Sequence, residues 1–460
     1  MRQEKIQDAL NYIEKDMIEE VDALQLKGLG SRKKSRVTHQ WYKWGAVAAA
    51  LCVGVVALWN RPVKVTAEDL MESVIPNEVE LLEDLSGGNA KATDFGIRLF
   101  QETMQEGENT LLSPLSVLSA LAMTANGAEE ETLAQMEEGL GMPVEELNSY
   151  IHTYMMQLPE GEKYKLRVAN SIWFADKETF QVEQDFLQTN ADYYGAQIYK
   201  RTFNERAVKD MNAWVKQNTD EMIPKIVDEI PEDAVMYLVN ALAFEAEWQI
   251  VYEKRQVEEG IFTLEDGTER KAELMYSDEW DYLEDELATG FVKYYRMGEY
   301  AFVALLPKEG ISVAEYVNSL TGENVQKLLT KVSHEKVETA IPKFEAEYNT
   351  ELSQVLMDMG MTDAFSMYTA DFSGLGQDSR PGRNLYISQV LHKTYISVGE
   401  QGTRAGAVTA VAMNSGSSAG PIEPPKKVYL DRPFVYMLVD TKNNVPFFIG
   451  TLMDVEESQK

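Results

Sequence analysis

Residues 400–413 read EQGTRAGAVTAVAM, a run of small and β-branched residues without proline or an aromatic residue. The polar, glycine- and serine-rich stretch 414–420 follows it. Side chains alternate between the two faces of an extended strand. One parity of this run carries only small side chains, at Thr403, Ala405, Ala407 and Thr409. The pattern predicts an exposed loop that can also enter a sheet as a strand between two existing strands.

The rest of the chain has the residue patterns of an α+β fold. Helical spacing dominates the region from about 89 to 219, and long apolar runs follow the pattern of buried strands. Two of these runs, Leu166–Ala175 and Ala234–Phe244, suit the centre of a sheet covered on both faces. We therefore expect helices over large mixed sheets in one domain at 89–457.

Several separated blocks resemble the serpin family of serine protease inhibitors, and they occur in the family's order. They span about 89–457: Asn109–Ser116, Leu166–Trp173, Val239–Phe244 with Trp248, Ile341–Phe344, Asp371–Gly374, Arg432–Phe434 and Phe447–Gly450. The resemblance implies a serpin-like fold in which residues 400–425 form an exposed reactive-centre loop.

The resemblance also implies a mechanism and the residues that carry it. A serine protease would attack the loop as a substrate and become acylated, and the cut loop would insert into the main sheet with the protease attached. The expected hinge residues are Glu400, Gly402, Thr403, Ala405, Ala407 and Thr409. The expected shutter, which links the sheet to the helix beneath it, is Ser113, Ser116, Asn240 and His392. Trp248 matches the breach, the top of the sheet where insertion begins.

The cleaved bond stays open between two alternatives, because the loop is about six residues longer than in typical members. Counting from Glu400 gives Gly416–Ser417, and a preference for apolar side chains gives Met413–Asn414. No Arg, Lys or aromatic residue lies between 405 and 425. We therefore expect an elastase-like or subtilisin-like target rather than a trypsin-like one. Arg404 and Gly406 depart from the family pattern at positions expected to face outward.

Two alternatives to an inhibitor follow from the same sequence. One is a non-inhibitory serpin-like binding protein on the cell surface, although such members tend to carry bulky or charged hinge residues. The other is a hydrolase, since Gly416–Gly420 fits G-x-S-x-G with Ser418 as nucleophile. That motif needs a helix directly after the serine. Pro421, Pro424 and Pro425 oppose such a helix, so we expect no enzymatic activity.

Composition excludes several classes of function. The formal net charge is −32, which argues against nucleic acid as a partner because phosphate backbones recruit basic surfaces. Cys52 is the single cysteine and there are four histidines, so neither a disulfide framework nor a usual zinc site is expected. We expect a monomer with no metal and no cofactor.

The apolar run at 44–59 (WGAVAAALCVGVVALW) predicts a transmembrane helix that acts as a signal anchor. Basic residues cluster before it, which places residues 1–43 in the cytoplasm and the serpin-like domain of a bacterium outside, at the cell membrane. A cleaved signal peptide ending at Val65-Thr66-Ala67 is the alternative, although its leader would be long.

Two segments flank this predicted span. Residues 3–24 repeat apolar side chains at helical spacing, which predicts an amphipathic helix that either docks a cytoplasmic partner or stays a weakly folded tail. Residues 60–88 are acidic and end in Ser86-Gly87-Gly88, which predicts a linker.

Overall fold

A computed structural model describes most of the chain from residue 65 onward. The described residues are 65–159, 161–177, 180–231, 233–378, 384–403 and 425–455. The predicted α+β class is confirmed, with most helices before residue 220 and most strands after it.

The described residues form nine α-helices. They are α1 (Ser86–Thr103), α2 (Pro114–Ala125), α3 (Glu130–Leu140), α4 (Val144–Gln157), α5 (Gln184–Tyr194), α6 (Glu205–Asn218), α7 (Val313–Ser319), α8 (Gly322–Thr330) and α9 (Ser353–Asp358). Helix α2 begins where the sequence predicts, because the Ser113 side chain caps the Ser116 N–H and Pro114 occupies the first turn. Every residue of α2 is buried.

The same residues form nineteen strands. They are β1 (Glu68–Asp69), β2 (Thr110–Leu112), β3 (Tyr164–Ala175), β4 (Phe180–Val182), β5 (Gln197–Arg201), β6 (Met236–Glu247), β7 (Val257–Thr263), β8 (Glu269–Glu279), β9 (Asp281–Glu284), β10 (Ala288–Tyr294), β11 (Tyr300–Pro307), β12 (Val337–Pro342), β13 (Phe344–Glu351), β14 (Gly376–Asp378), β15 (Gln389–Gly399), β16 (Gly402–Thr403), β17 (Lys426–Tyr429), β18 (Phe434–Asp440) and β19 (Val445–Leu452).

Three large sheets organise these strands. The main sheet has the order β1-β5-β3-β6-β16-β15-β13, and β6 also pairs directly with β15. The second sheet has the order β2-β19-β18-β11-β10-β9, and the third has β17-β12-β8-β7. In the sequence, residues 404–425 therefore stand between β16 of the main sheet and β17 of the third sheet.

The main sheet separates two hydrophobic cores. The larger core lies between the second sheet, the helices of the first third of the chain and one face of the main sheet. The smaller core lies on the other face, where Trp214 and Met211 of α6 pack on Trp173, Tyr237 and Val239. Both faces of β3 and β6 are therefore covered, which explains why their sequences are continuous apolar runs.

Part of the predicted linker lies against the domain. β1 pairs antiparallel with β5 at the edge of the main sheet, and the Leu70 N–H donates to the Ile198 carbonyl at 2.9 Å. Asp210 of α6 accepts hydrogen bonds from both the backbone N–H and the hydroxyl of Thr66. Helix α1 begins at Ser86, inside the predicted linker. The predicted linker thus supplies an edge strand that its composition did not reveal.

The predicted localisation, a single-pass position in the cell membrane, is contradicted. Among the residues that the structure describes, no helix is both long and apolar enough to cross a bilayer. The longest, α1, carries Lys91, Asp94 and Arg98, and the apolar α2 is only 12 residues long. A span needs roughly 20 apolar residues. The predicted span at 44–59 and the predicted helix at 3–24 lie outside the described residues.

Candidate functional site at the opening of the main sheet

The start of the predicted hinge, Gly402–Thr403, lies inside the main sheet as β16. Strands β6 and β15 pair directly and in parallel from Tyr237 and Gln389 to Ala243 and Tyr395. Beyond these pairs the two strands separate, and β16 runs between them, antiparallel to both. The main sheet is already open at one end, and the opening holds two residues of the loop.

Thr403 is held in this opening by a buried hydrogen bond. Its side chain is fully buried, and its Oγ1 lies 2.5 Å from the Tyr295 hydroxyl. Burial raises the pKa of Tyr295, so this hydroxyl stays protonated at neutral pH. The small inward-facing residue that the sequence pattern required is therefore seated and paired at this position.

Gly402 fits the opening only because it has no side chain. Its φ of +145° is a conformation that residues with a Cβ rarely adopt. A Cβ built there would lie 2.0 Å from the carbonyl oxygen of Ala246 on β6. The backbone of β16 can approach β6 closely enough to pair only with glycine at this position.

Trp248 lies at the same end of the sheet, directly after β6. Its backbone N–H donates to the Gln401 carbonyl at 2.9 Å, and its indole N–H donates to the Gly399 carbonyl at 2.8 Å. Its ring stacks on Tyr295 with centroids 4.3 Å apart. One fully buried tryptophan thus fixes the turn between β15 and β16 and supports the tyrosine that binds Thr403.

Glu400 forms an ion pair on the surface of this turn. The Lys343 ammonium lies 3.0 Å from carboxylate oxygens of both Glu400 and Glu273. Burial by itself lowers the pKa of Lys343, but its hydrogen bonds to the two glutamates outweigh burial and the pKa is raised. The ion pair ties the beginning of the loop to β8 and to the residue between β12 and β13.

The four predicted shutter residues lie together in the interior. Asn240 of β6 and His392 of β15 are direct pairing partners, and His392 Nδ1 contacts Asn240 Oδ1. The Ser116 hydroxyl donates to Asn240 Oδ1 at 2.9 Å, and the Ser113 N–H donates to His392 Nε2 at 3.1 Å. All four residues have no measurable exposure. The cluster joins the two strands that flank the opening to the start of α2.

The hydrogen bonds of His392 define its protonation state. Because the Ser113 N–H is a donor, His392 Nε2 must be an acceptor, which places the ring proton on Nδ1, where it is donated to Asn240. Burial lowers the pKa of His392 to about 3. The ring is neutral at physiological pH, and its one proton closes the link between β6 and β15.

The remaining predicted loop residues lie outside the described residues. These are Ala405, Ala407 and Thr409, both candidate bonds, Gly416–Ser417 and Met413–Asn414, and Ser418.

Two residues of this site were missed by the sequence reasoning. Tyr295 follows a strand with no special pattern, and its partner Thr403 is more than a hundred positions away. Lys343 lies in the Ile341–Phe344 block, which entered the sequence analysis only as one of the ordered segments that resemble the serpin family. A basic residue in an otherwise apolar strand junction was the available signal for Lys343, and Tyr295 offered none.

Comparison with known proteins identifies the family. The family model for serpins, described as serine protease inhibitors, matches residues 90–455. This chain belongs to the serpin family. The crystal structure of a thermophilic serpin, tengpin, in the native state is 47% identical and covers 85% of this serpin and all of that chain, with a TM-score of 0.81. Tengpin in the latent state is 45% identical, covers 83% of this serpin and all of that chain, and gives a TM-score of 0.71.

A curated relative supports the same assignment. An uncharacterized serpin-like protein of Thermococcus kodakarensis is 28% identical over 370 residues, which is 79% of this serpin and 84% of the relative. Serpins as a family are protease inhibitors rather than enzymes. This serpin therefore carries a protease-inhibitor fold whose main sheet is open at one end.

Proposed function

We propose that this serpin inhibits a serine protease of elastase-like or subtilisin-like specificity as a suicide substrate. The single observation that carries the proposal is the position of β16. Gly402 and Thr403 sit between β6 and β15 at one end, while the same two strands pair directly along the rest of their shared length. A cut loop would therefore extend a strand that has already begun.

The register of β16 indicates where each loop residue would go. Thr403 lies opposite Ala246 on β6 and opposite Val398 on β15. Because β16 is antiparallel to both strands, each following loop residue would pair with the preceding residue of β6 and of β15. Continued insertion would place Thr409 opposite both Asn240 and His392, which are themselves a pair in the uncut state. The two independent registers agree at this position.

Insertion would thus break the link between His392 and Asn240. Thr409 has the same parity as Thr403 and would face the helical layer, where Asn240 accepts from Ser116. Its hydroxyl can donate and accept, so it can take over the hydrogen bonds that the separated side chains lose. The four polar residues would hold β6 and β15 together until the inserting strand separates them.

Covalent trapping follows from ordinary serine protease chemistry. The protease serine oxygen attacks the carbonyl of the residue before the cut, the peptide C–N bond breaks, and the new amine leaves with the proton delivered by the protease histidine. The ester that remains ties the protease to the loop. Insertion of residues 404–412 opposite Glu245–Tyr237 would carry the protease away from its starting position before water hydrolyses the ester.

The loop sequence supports a target that prefers small or apolar side chains. Residues 405–425 contain neither Arg nor Lys nor an aromatic residue. Gly416–Ser417 and Met413–Asn414 remain the two candidate bonds. Mass spectrometry of the released C-terminal fragment distinguishes them.

The test is the formation of an SDS-resistant adduct with pancreatic elastase or subtilisin. The full-length chain should give a band at the summed mass of the protease and the N-terminal part of the inhibitor. Ala407→Arg places a charge at an inward position and should give cleavage without the adduct. Arg404→Glu places a charge at the outward position that would lie opposite the partly exposed Glu245 and Ser397, and should retain the adduct.

The two variants separate insertion from recognition of the loop. Equal adduct yields from both would contradict insertion with the proposed parity. Cleavage of the unmodified loop by both proteases without any adduct would instead favour a non-inhibitory binding protein.

A further inference from the structure

A buried lysine lies next to the aromatic residues at the opening of the main sheet. Lys293 of β10 is 2% exposed, and its ammonium lies 2.6 Å from a carboxylate oxygen of Glu279, the last residue of β8. Burial by itself lowers the pKa of Lys293, but attraction to Tyr252 and Glu279 outweighs burial and the pKa is raised. The side chain is therefore a cation in the interior, where a charge needs specific partners.

The other partners of this ammonium are two aromatic rings. Its nitrogen lies 4.4 Å from the ring centroid of Tyr252 and 5.5 Å from that of Trp248, and both residues are buried. Both distances are within the range of a cation–π interaction, which is stronger where water is excluded. One cation thus attracts two rings at once and restricts the positions of both.

These same two aromatic residues hold the turn 399–401, which joins β15 to β16. Trp248 donates to the first carbonyl of the turn from its indole N–H and to the third from its backbone N–H. The backbone N–H of Tyr252 donates to the second carbonyl at 2.9 Å. All three consecutive carbonyls are therefore bound by residues whose rings contact Lys293. A shift of either residue would move the turn that leads into β16.

The carboxylate partner connects Lys293 to the other end of the loop. Glu279 pairs directly with Val337 of β12, and Val337 pairs with Lys426, the first residue of β17. Strand β17 follows the loop in the sequence. The Ser277 hydroxyl also donates to the Glu279 oxygen that binds Lys293, at 2.7 Å, and helps to fix this carboxylate. Lys293 therefore bridges the turn where the loop begins and the strands where it ends.

We propose that Lys293 is a positioning residue for the loop. Its ammonium keeps Trp248 and Tyr252 in the places from which they bind the turn 399–401, and through Glu279 it fixes that turn relative to β17. A fixed turn keeps β16 in register between β6 and β15, so that a cut loop extends an existing strand. This last step rests on the proposed inhibitory function, whereas the hold on the turn does not.

The test removes the ion pair without leaving a buried charge. Lys293→Met keeps an unbranched side chain and Glu279→Gln neutralises the partner. The double variant should fold, because buried ion pairs can be exchanged for uncharged residues at little cost in stability. The matched control combines Lys393→Met with Glu347→Gln, which removes the ion pair of another buried lysine on β15, the strand that leads into the turn.

Hydrogen exchange of the full chain reports the hold on the turn. The backbone amides of Trp248 and Tyr252 should exchange about tenfold faster in the Lys293 double variant, because loss of the cation–π interactions makes local opening easier. The control should keep both rates. A purely structural role would instead destabilise the whole domain and accelerate the amides of the buried helix α2 by the same factor. If the double variant does not fold, Lys293→Gln removes the cation alone and makes the same test.

Adduct formation with elastase or subtilisin reports the effect on insertion. The Lys293 double variant should convert a smaller fraction of the cleaved chain into the SDS-resistant adduct, and the control should keep the fraction of the unmodified chain. Unchanged exchange at Trp248 and Tyr252, or acceleration shared equally by α2, would overturn the hold on the turn. Faster exchange with an undiminished adduct fraction would overturn the role in insertion. Failure of the unmodified chain to form any adduct would contradict the inhibitory function, and the exchange rates would still decide whether Lys293 holds the turn.

Discussion

The hydroxyl oxygens of Thr403 and Tyr295 lie 2.5 Å apart in the interior of the protein, at the point where the loop enters the main sheet. This contact joins the first inserted residues to a tyrosine that Trp248 supports by stacking. We expect this contact to set the population in which residues 402–403 have left the sheet before any cleavage.

Removing the Tyr295 hydroxyl should make it easier for Thr403 to leave the main sheet. Tyr295→Phe leaves the buried Thr403 hydroxyl without its partner, which costs about 1 kcal/mol. The population of the unseated loop should rise about fivefold, and trypsin should cut after Arg404 correspondingly faster. Tyr316→Phe is the control. Tyr316 is a buried tyrosine of α7 whose hydroxyl donates to Asp285 and contacts none of the described residues of the loop. Equal cleavage rates in both variants would argue against a seated Thr403.

A methyl group at position 402 should disrupt β16. Gly402→Ala combines an unfavourable φ with a contact of 2.0 Å to the Ala246 carbonyl oxygen, at a cost on the order of 1–3 kcal/mol. The thermal unfolding midpoint should fall by several degrees. Gly399→Ala is the matched control, because a Cβ there meets no atom within 4 Å. A midpoint that is equal in the two variants would show that Gly402 is not constrained.

Stability should depend on pH through His392. Its folded pKa of about 3 lies below the ordinary histidine value of about 6.5, so the unfolded chain binds the proton first as pH falls. The contribution of neutral His392 is complete above pH 6.5 and is lost progressively toward pH 3. At pH 5 the loss is about 2 kcal/mol.

The comparison with a variant isolates this histidine. The free energy of unfolding is measured by denaturant for the unmodified chain and for His392→Gln at pH 7.5 and at pH 5. Subtracting the pH effect in one protein from that in the other removes the contribution of the titratable groups that both share. The variant should be less stable at pH 7.5 and should lose less stability on acidification. Parallel losses in the two proteins would mean that His392 is not held neutral by burial.

The segment before α1 should be attached through Asp210. Asp210→Ala removes the acceptor of both Thr66 hydrogen bonds and the ionic partner of Arg201 at 3.4 Å. Hydrogen exchange at the Leu70 amide should accelerate about tenfold, because local opening of β1 becomes easier. Glu205→Ala, at the exposed first turn of the same helix, is the control. An unchanged Leu70 exchange rate would contradict this attachment.

The sequence was sufficient for the fold class because that class rests on long, separated blocks. Ser113, Ser116, Asn240 and His392 were chosen as the shutter through family resemblance. The fold brings these four residues within hydrogen-bond distance of one another, and their role as a shutter stays a prediction. Tyr295 was out of reach, because its importance comes from a single contact with Thr403 and not from any local pattern.

The backbone at the opening was equally hidden. The sequence indicated small residues in the hinge, but the positive φ of Gly402 follows from the close approach of β6, which only the assembled sheet creates. Similarly, the acidic, glycine-ending stretch before α1 suggested a linker. Its two-residue strand gains stability from β5 and Asp210 rather than from its own propensity.

Thermal unfolding of the chain before and after a single cut in the 404–424 loop tests the central claim most directly. Insertion of residues 404–412 adds a strand that pairs on both sides, and backbone hydrogen bonds contribute about 1 kcal/mol each. The account predicts that the midpoint rises by more than about 10 °C after cleavage. A cut chain that unfolds at the temperature of the intact chain, or below it, would contradict insertion between β6 and β15.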